Sequence, residues 1–389
     1  MIVKRILFEE LLEVASEYPV ITILGPRQSG KTTLVKTTFP DKAYLSLEAP
    51  DVRQRAIEDP RGFLGELKEG AILDEVQRAP QLLSYIQGIV DNNSATAQFI
   101  LTGSHQPLLH QAITQSLAGR TAILKLMPFS LNEIAHYKQN LNAFELCCKG
   151  FFPGIYQNNL SSERFFSNYL QTYVERDVRS LINLKNTTNF QSFLLLLAGR
   201  TGQLLNLANI SNDTGVSSST VRSWIDVLKA SFLIIELPSY HINIRKRVVR
   251  SPKIYFTDTG LLCYLLGIHN SAQLQRDPLR GSIYENLLIM EVLKTKLNKG
   301  KRPDLYFYRD SNGNEVDLLI LEGQSIQPIE IKSSATFTPS FIKGIASLKK
   351  VTPYRCKSGI VFYNGDKDFS FKGTLVANPV MNPNILDQL

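Results

Sequence analysis

Residues Gly25-Pro26-Arg27-Gln28-Ser29-Gly30-Lys31-Thr32 match G-x-x-x-x-G-K-[ST] without a deviation, and no other segment constrains the fold as much. The apolar run Val20–Leu24 stands directly before the motif, and the helix-forming stretch TTLVKTTF follows it. A buried strand feeding a glycine-rich turn and then a helix is the opening unit of a parallel α/β sheet. In that setting the N–H groups of the turn converge at a helix N-terminus, where they bind phosphate oxygens. The segment predicts a pocket for ATP or GTP. Its contacts are Gly25 to Thr32 and Thr33, with Lys31 reaching the β- and γ-phosphates and Thr32 ligating Mg²⁺.

Short apolar runs recur downstream: AYLSL near Ala43, AILDE near Ala71, FILTG near Phe99 and AILKL near Ala122. Strands separated by helical stretches imply a sheet covered on both faces, ending near Met127–Pro128. The run Ala71-Ile72-Leu73-Asp74-Glu75 ends in two acids. After a phosphate loop this is a Walker B arrangement: Asp74 is expected in the Mg²⁺ shell, and Glu75 is expected to polarise an attacking water. Thr102-Gly103-Ser104 closes the next run, and Ser104 or Thr102 is the candidate γ-phosphate sensor; a simple turn is the alternative. Phosphoryl transfer also needs a cation on the developing charge. Arg120 is the candidate, supplied in cis or in trans, with a plain surface arginine as the alternative.

A chain of 389 residues is too long for one core, and 43% hydrophobic with 20% charged residues is a globular balance. The formal charge of +8 permits an anionic partner without requiring one. Cys147, Cys148, Cys263 and Cys356 form no C-x-x-C pair, so neither structural zinc nor a disulfide framework is expected, and a reducing cytoplasm fits. Glu9, Glu10 and Glu13 interrupt the apolar spacing of the N-terminus, which reads as an amphipathic helix rather than a signal peptide. No apolar stretch is long enough to span a bilayer, so no membrane partner is expected.

The pattern from Ser130 to about Arg200 is helical, with stretches such as ERFFSNYLQTYVERDVRSLI. LANISNDTGVSSSTVRSWIDVLKASFLI then reads as helix, a turn at Gly215, and a second helix from near Ser218. In such a unit the start of the second helix faces the major groove, exposing Ser219, Thr220, Arg222 and Ser223. Ile234 to Phe256 alternates like a β-wing, and its Arg245, Lys246, Arg247, Arg250 and Lys253 suit phosphates. DNA is one partner this implies; a protein partner met through the same module is the other.

The last stretch carries a helix from Tyr284 to Lys296 and strands at DLYFYR, EVDLLIL, SIQPIEIK and SGIVFYN. Asp317 lies on the second of these strands and Glu330-Ile331-Lys332 on the third, matching the D…E-x-K order of PD-(D/E)xK nucleases. Period-two geometry puts Glu330 and Lys332 on one face. Asp317 and Glu330 are expected to share Mg²⁺ or Mn²⁺, Glu285 to complete the shell, and Lys332 to position water. The alternative is an inert domain whose acids form ion pairs.

GPRQSGKTTL, YLSLEAPDVR, AILDEVQRAP, ILTGSHQPLL and SLAGRTAILKLMPFSLNE, in that order, resemble a prokaryotic group of AAA-type ATPases with a C-terminal domain related to restriction endonucleases. The similarity continues through GFFPGIY, YVERDVR, SPKIYFTDTGLL and NEVDLLI…IEIK, and the D…E-x-K spacing resembles Holliday-junction resolvases. Ser-Asn-Gly-Asn precedes Glu315-Val316-Asp317, with no proline before the aspartate, which departs from the nuclease pattern. The resemblance implies an α/β protein in four modules: an AAA-type ATPase at 1–129, a helical subdomain at 130–200, a winged helix-turn-helix at 201–269, and a restriction-endonuclease-like domain at 270–389. It implies ATP hydrolysis and a cytoplasmic location. Three roles stay open: a DNA-acting ATPase working on duplex or branched DNA, an ATP-gated switch or scaffold for a protein with an inert C-terminal domain, and a toxin–antitoxin-like pair. Monomer, dimer and ring are all compatible.

Overall fold

The structure is a computed structural model in which residues 3–93, 95–104, 107–137, 140–178, 187–241, 251–352 and 355–389 are described. It divides into two compact units. The first comprises the chain up to Phe129 with Ala230–Phe232 and Leu297–Lys301; the second comprises Ser130–Lys229, Leu233–Lys296 and Arg302–Leu389. The three modules expected after residue 129 therefore fall within one compact unit.

The first unit is built on five parallel strands: β1 (Val20–Leu24), β2 (Ala43–Ser46), β3 (Ala71–Asp74), β4 (Phe99–Gly103) and β5 (Thr121–Lys125), in the order β2-β3-β4-β1-β5. Every residue of β1, β3 and β4 is buried, which is why they read as nearly continuous apolar runs, whereas the edges β2 and β5 are partly exposed. Side chains alternate between two cores. Val20, Leu24, Leu73, Phe99 and Leu101 face one that includes Leu82, Leu83 and Ile86. Ile21, Ile23, Ile72 and Ile100 face the other, with Leu7 and Leu11 of the N-terminal helix Leu7–Glu17 and Leu34 and Val35 of the helix Lys31–Thr38. Each such side chain contributes about 1.5–3 kcal/mol by leaving water. Because all five strands run the same way, their C-terminal tips gather at one edge: Leu24 pairs with Gly103 and Lys125, and Ser46 with Asp74.

The second unit begins with helices. Ser162–Tyr169 continues over Leu170–Val178 in wider i→i+5 turns, a rare geometry that the helical pattern did not distinguish. Two helices, Leu207–Thr214 and Ser218–Ala230, flank a left-handed Gly215, where the sequence pattern has a turn between two helices. An antiparallel pair follows, β6 (Ile234–Leu237) with β7 (Lys253–Phe256). Residues 242–250 between them, and with them Arg245, Lys246, Arg247 and Arg250, lie outside the described residues.

The helix Arg280–Asn298 precedes a mixed sheet. Its strands are β8 (Leu305–Arg309), β9 (Glu315–Glu322), β10 (Ser325–Lys332), β11 (Arg355–Cys356), β12 (Ile360–Tyr363), β13 (Phe369–Phe371) and β14 (Thr374–Ala377). They lie in the order β13-β14-β12-β10-β9-β8, with β11 also paired to β10. β8, β9 and β10 form an antiparallel meander, and β12 joins β10 in parallel. Among the described residues no helix is long and apolar enough to cross a membrane.

Candidate functional site

The phosphate-binding segment occupies the turn between β1 and the helix Lys31–Thr38. Gly30 caps that helix at φ 94°, a left-handed conformation that a side chain would strain. Lys31 is buried and folds over the turn, its Nζ donating to the carbonyls of Gly25 at 3.0 Å and Pro26 at 2.8 Å. Burial lowers its pKa to about 8, partly countered by Glu75 and Asp74. The hydroxyl of Ser29 is buried without a hydrogen-bond partner among the described residues, a donor and acceptor that suits a bound anion. Arg5, which the motif does not announce, braces the turn: it donates to the carbonyls of Ser29 and Met127, both at 2.7 Å.

Asp74 ends β3 beside this turn. Its Oδ2 accepts from Thr32 Oγ1 at 2.9 Å and from the Tyr44 hydroxyl at 2.7 Å, and its Oδ1 accepts from Thr102. Burial and the bond to Asp74 push Tyr44 up to about 12, so it remains a phenol and a donor. The Thr32 hydroxyl and Asp74 carboxylate are adjacent hard oxygen donors, the set that Mg²⁺ prefers, so the residues present fit that ion. Glu75 follows with φ 59°, an unusual conformation for a residue with a side chain. The Gln77 amide donates both to Glu75 Oε2 and, at 3.0 Å, to Ser104 Oγ; Ser104 in turn lies 3.5 Å from Glu75 Oε2. Gln77 Oε1 is buried without a partner among the described residues.

The sheet order explains the assembly. β4 lies between β1 and β3, so Thr102 and Ser104 arrive between the phosphate turn and the acids. The two sensor candidates divide the work: Thr102 binds Asp74, while Ser104 sits with Gln77 and Glu75. Tyr44, Gln77 and Arg5 were missed by sequence reasoning. Gln77 had the one usable signal, a polar residue two positions after the catalytic candidate.

Arg120 is not brought to this cluster. It precedes β5, and its carbonyl accepts from Val20 N–H at the start of β1, whereas the phosphate turn follows the end of that strand. The separation is roughly 13 Å along the strand, at about 3.3 Å per residue. Its guanidinium instead forms a two-point ion pair with Asp91, at 2.5 and 2.9 Å. As a cis finger it is corrected: the parallel sheet puts it at the wrong edge.

The second candidate cluster lies on β9 and β10. Lys332 Nζ reaches Asp317 Oδ2 at 2.8 Å and Glu330 Oε2 at 2.7 Å, so the D…E-x-K residues do meet. The N–H of Ile331 also donates to Asp317 Oδ2 at 2.7 Å. Glu285 approaches from the helix Arg280–Asn298, but its Oε1 accepts from the Tyr255 hydroxyl and from Lys253 Nζ at 3.1 Å. Lys253 also pairs with Glu315 at 2.5 Å. Burial and the neighbouring Asp317 raise Glu330 to about 9 and Glu285 to about 7. Burial opposes the charge on Asp317, yet Lys332 and Lys253 outweigh it and hold its pKa below the usual carboxylate value. Among the described residues no group of three or more His, Cys, Asp or Glu is arranged to hold a metal ion, which corrects the three-acid shell expected of Glu285, Asp317 and Glu330.

In the helix–turn–helix, Thr220 is half-buried and bonds Ser217 through its hydroxyl at 2.8 Å, and Arg222 pairs with Glu236 of β6 at 2.8 Å. Both expected DNA contacts have partners inside the chain.

Known families match in three consecutive segments: an AAA domain at residues 17–135, a domain of unknown function (DUF8612) at 140–272, and another (DUF4143) at 280–382. The second runs across residue 200 without a break. Uncharacterized proteins of Mycobacterium tuberculosis and Mycobacterium bovis are each 30% identical over 365 residues, covering 93% of this chain and 80% of theirs. One from Haemophilus influenzae is 22% identical, covering 76% and 79%. Among solved structures, a Walker-type ATPase of Pyrococcus abyssi aligns with TM-score 0.43 and 15% identity, covering 67% of this chain and 94% of that one. AMPPCP-bound DnaA from Aquifex aeolicus aligns with TM-score 0.28 and 15% identity, covering 58% and 86%.

Proposed function

We propose that this chain, which belongs to the family of the two mycobacterial proteins and carries an AAA domain at residues 17–135, binds ATP with Mg²⁺ and hydrolyses it. The observation that carries the reading is the single cluster in which Lys31, Thr32, Asp74 and Glu75 meet at the tips of parallel strands. Lys31 exchanges two loop carbonyls for the β- and γ-phosphate oxygens, and the backbone N–H groups of the turn cradle the rest. Thr32 and Asp74 would hold Mg²⁺, which neutralises charge developing on the phosphates. Glu75 accepts a proton from the attacking water while Gln77 and Ser104 fix its carboxylate. Ser104, beside Gln77 and Glu75, would register the γ-phosphate.

For the second unit, the helix–turn–helix followed by an antiparallel pair supports a winged-helix reading, with DNA as its partner and Arg245, Lys246 and Arg247 as phosphate contacts. The internal pairing of Arg222 with Glu236 favours the alternative, a protein partner on the same module. The meander carrying Asp317 and Glu330 on neighbouring strands supports a PD-(D/E)xK-like fold for the C-terminal sheet. The test is ATP turnover by wild type and Lys31→Ala, with and without duplex and branched DNA. Turnover lost with Lys31 and stimulated by DNA supports the ATP site and the DNA partner; turnover lost with Lys31 but indifferent to DNA supports the protein-partner alternative; turnover that survives Lys31→Ala contradicts the ATP site. Replacing Arg245, Lys246 and Arg247 by Ala should lower DNA affinity and flatten its salt dependence.

A further inference from the structure

The acids on β9 and β10 have the composition of a divalent-metal site, but each has a cation or donor from the chain itself. One ammonium, Lys332, stands 2.7–2.8 Å from both Asp317 and Glu330, at the point where a shared ion would sit. That Lys is part of the D…E-x-K pattern. Lys253 is not: it comes from β7, well before the acids in sequence, and lies between Glu285 and Glu315 at 3.1 and 2.5 Å.

Lys253 is not a mobile surface side chain. It is 5% exposed, and β7 is fixed to the helix Arg280–Asn298 by Asn286, whose side-chain amide bonds both the N–H and the carbonyl of Phe256 at 2.8 and 2.7 Å. The cluster is also roofed. A Cβ on Gly344, at the start of the helix Lys343–Val351, would lie 2.4 Å from Glu330 Oε1 and 1.9 Å from the carbonyl of Glu315, so only glycine lets that helix come so close. Mg²⁺ and Mn²⁺ require oxygen ligands at about 2.0–2.2 Å and keep several waters. Here Asp317 accepts from Lys332 and the Ile331 N–H, Glu330 from Lys332, and Glu285 from Lys253 and Tyr255, and Asp317 and Glu330 are 8% and 4% exposed.

We infer that this cluster carries its own cations: Lys253, with Lys332, takes the place of the divalent metal and keeps it out of the folded chain. The inference deepens the PD-(D/E)xK-like reading of the sheet, rests on it for the expectation of a metal, and is independent of the ATP site. Two opposite charges buried together hold each other in place, and removing one strands the others in a low-dielectric setting, where a metal ion becomes the best available counter-charge.

The test is Mn²⁺ binding to the full nucleotide-free chain, read from loss of the free-ion electron paramagnetic resonance signal. Wild type and Asp317→Asn should take up the same amount of Mn²⁺. Lys253→Met, which keeps the apolar stem and removes the charge, should gain one Mn²⁺ per chain, and Lys253→Met with Asp317→Asn should lose that gain. A wild-type chain that binds one Mn²⁺ more than Asp317→Asn overturns the inference, and this arm stands even if Lys253→Met does not fold. A folded Lys253→Met that gains no Mn²⁺ overturns it as well.

Discussion

Gln77 holds Glu75 and Ser104 together through one amide, and that is a positioning role rather than a chemical one. Gln77→Ala removes a hydrogen bond to a charged group, worth about 1.5–3 kcal/mol, without touching the phosphate turn. The expected result is a fall in kcat of about ten- to a hundredfold with KM for ATP unchanged, measured by steady-state phosphate release. An unchanged kcat would mean that Glu75 finds its position unaided. Arg120 gives the opposite expectation: because its partner is Asp91 at the far edge of the sheet, Arg120→Ala should leave ATP turnover unchanged, and a clear loss would mean that another copy of the chain uses it. At this scale the sequence was informative wherever a role is encoded locally. Lys31 with Thr32, and Asp74 with Glu75, could be named because each pair stands at the end of an apolar run, in a local pattern of a few residues that marks its role. Tyr44, Arg5 and Lys253 could not, since each acquires its role from a strand or turn distant in sequence.

Among the elements, the β9–β10 hairpin is tied at its turn end by a charge clasp. Glu322, the last residue of β9, accepts from Lys296 at 2.7 Å and from Lys357 at 2.6 Å. These hydrogen bonds lower its pKa from 4.5 to about 2. A carboxylate depressed in the folded state stabilises fully above its unfolded value and loses that contribution as pH falls through the folded one. Glu322→Gln should therefore lower Tm at neutral pH by a small amount, since the side chain is 40% exposed and solvent screens the pairs. The deficit should shrink below pH 4.5 and vanish near about 2, as followed by circular dichroism melts. A deficit independent of pH would mean that shape rather than charge holds the hairpin turn. The strands of the first sheet were legible because buried parallel strands are nearly continuous apolar runs bounded by turns. Their order was not, because nothing local in β4 says that it inserts between β1 and β3. β11, β13 and β14 were missed because two to four residues carry too little periodicity to register.

For the whole molecule, the chain after residue 129 is one compact unit apart from Ala230–Phe232 and Leu297–Lys301, and the three modules read there from the sequence lie within it. Motifs mark where chemistry changes along the chain; they do not show which modules share a core. Asn286 illustrates the difference, since a residue of the C-terminal segment binds the backbone of β7. The net charge of +8 bears on partners and not on fold, so any DNA affinity should weaken steeply with salt. The central claim is that the first unit hydrolyses ATP with Glu75 as the base, and it is tested most directly by comparing wild type with Glu75→Gln at saturating Mg²⁺ and ATP. The account predicts that Glu75→Gln binds a fluorescent ATP analogue as tightly as wild type while phosphate release falls by about a hundredfold or more. Turnover by Glu75→Gln at the wild-type rate would contradict it.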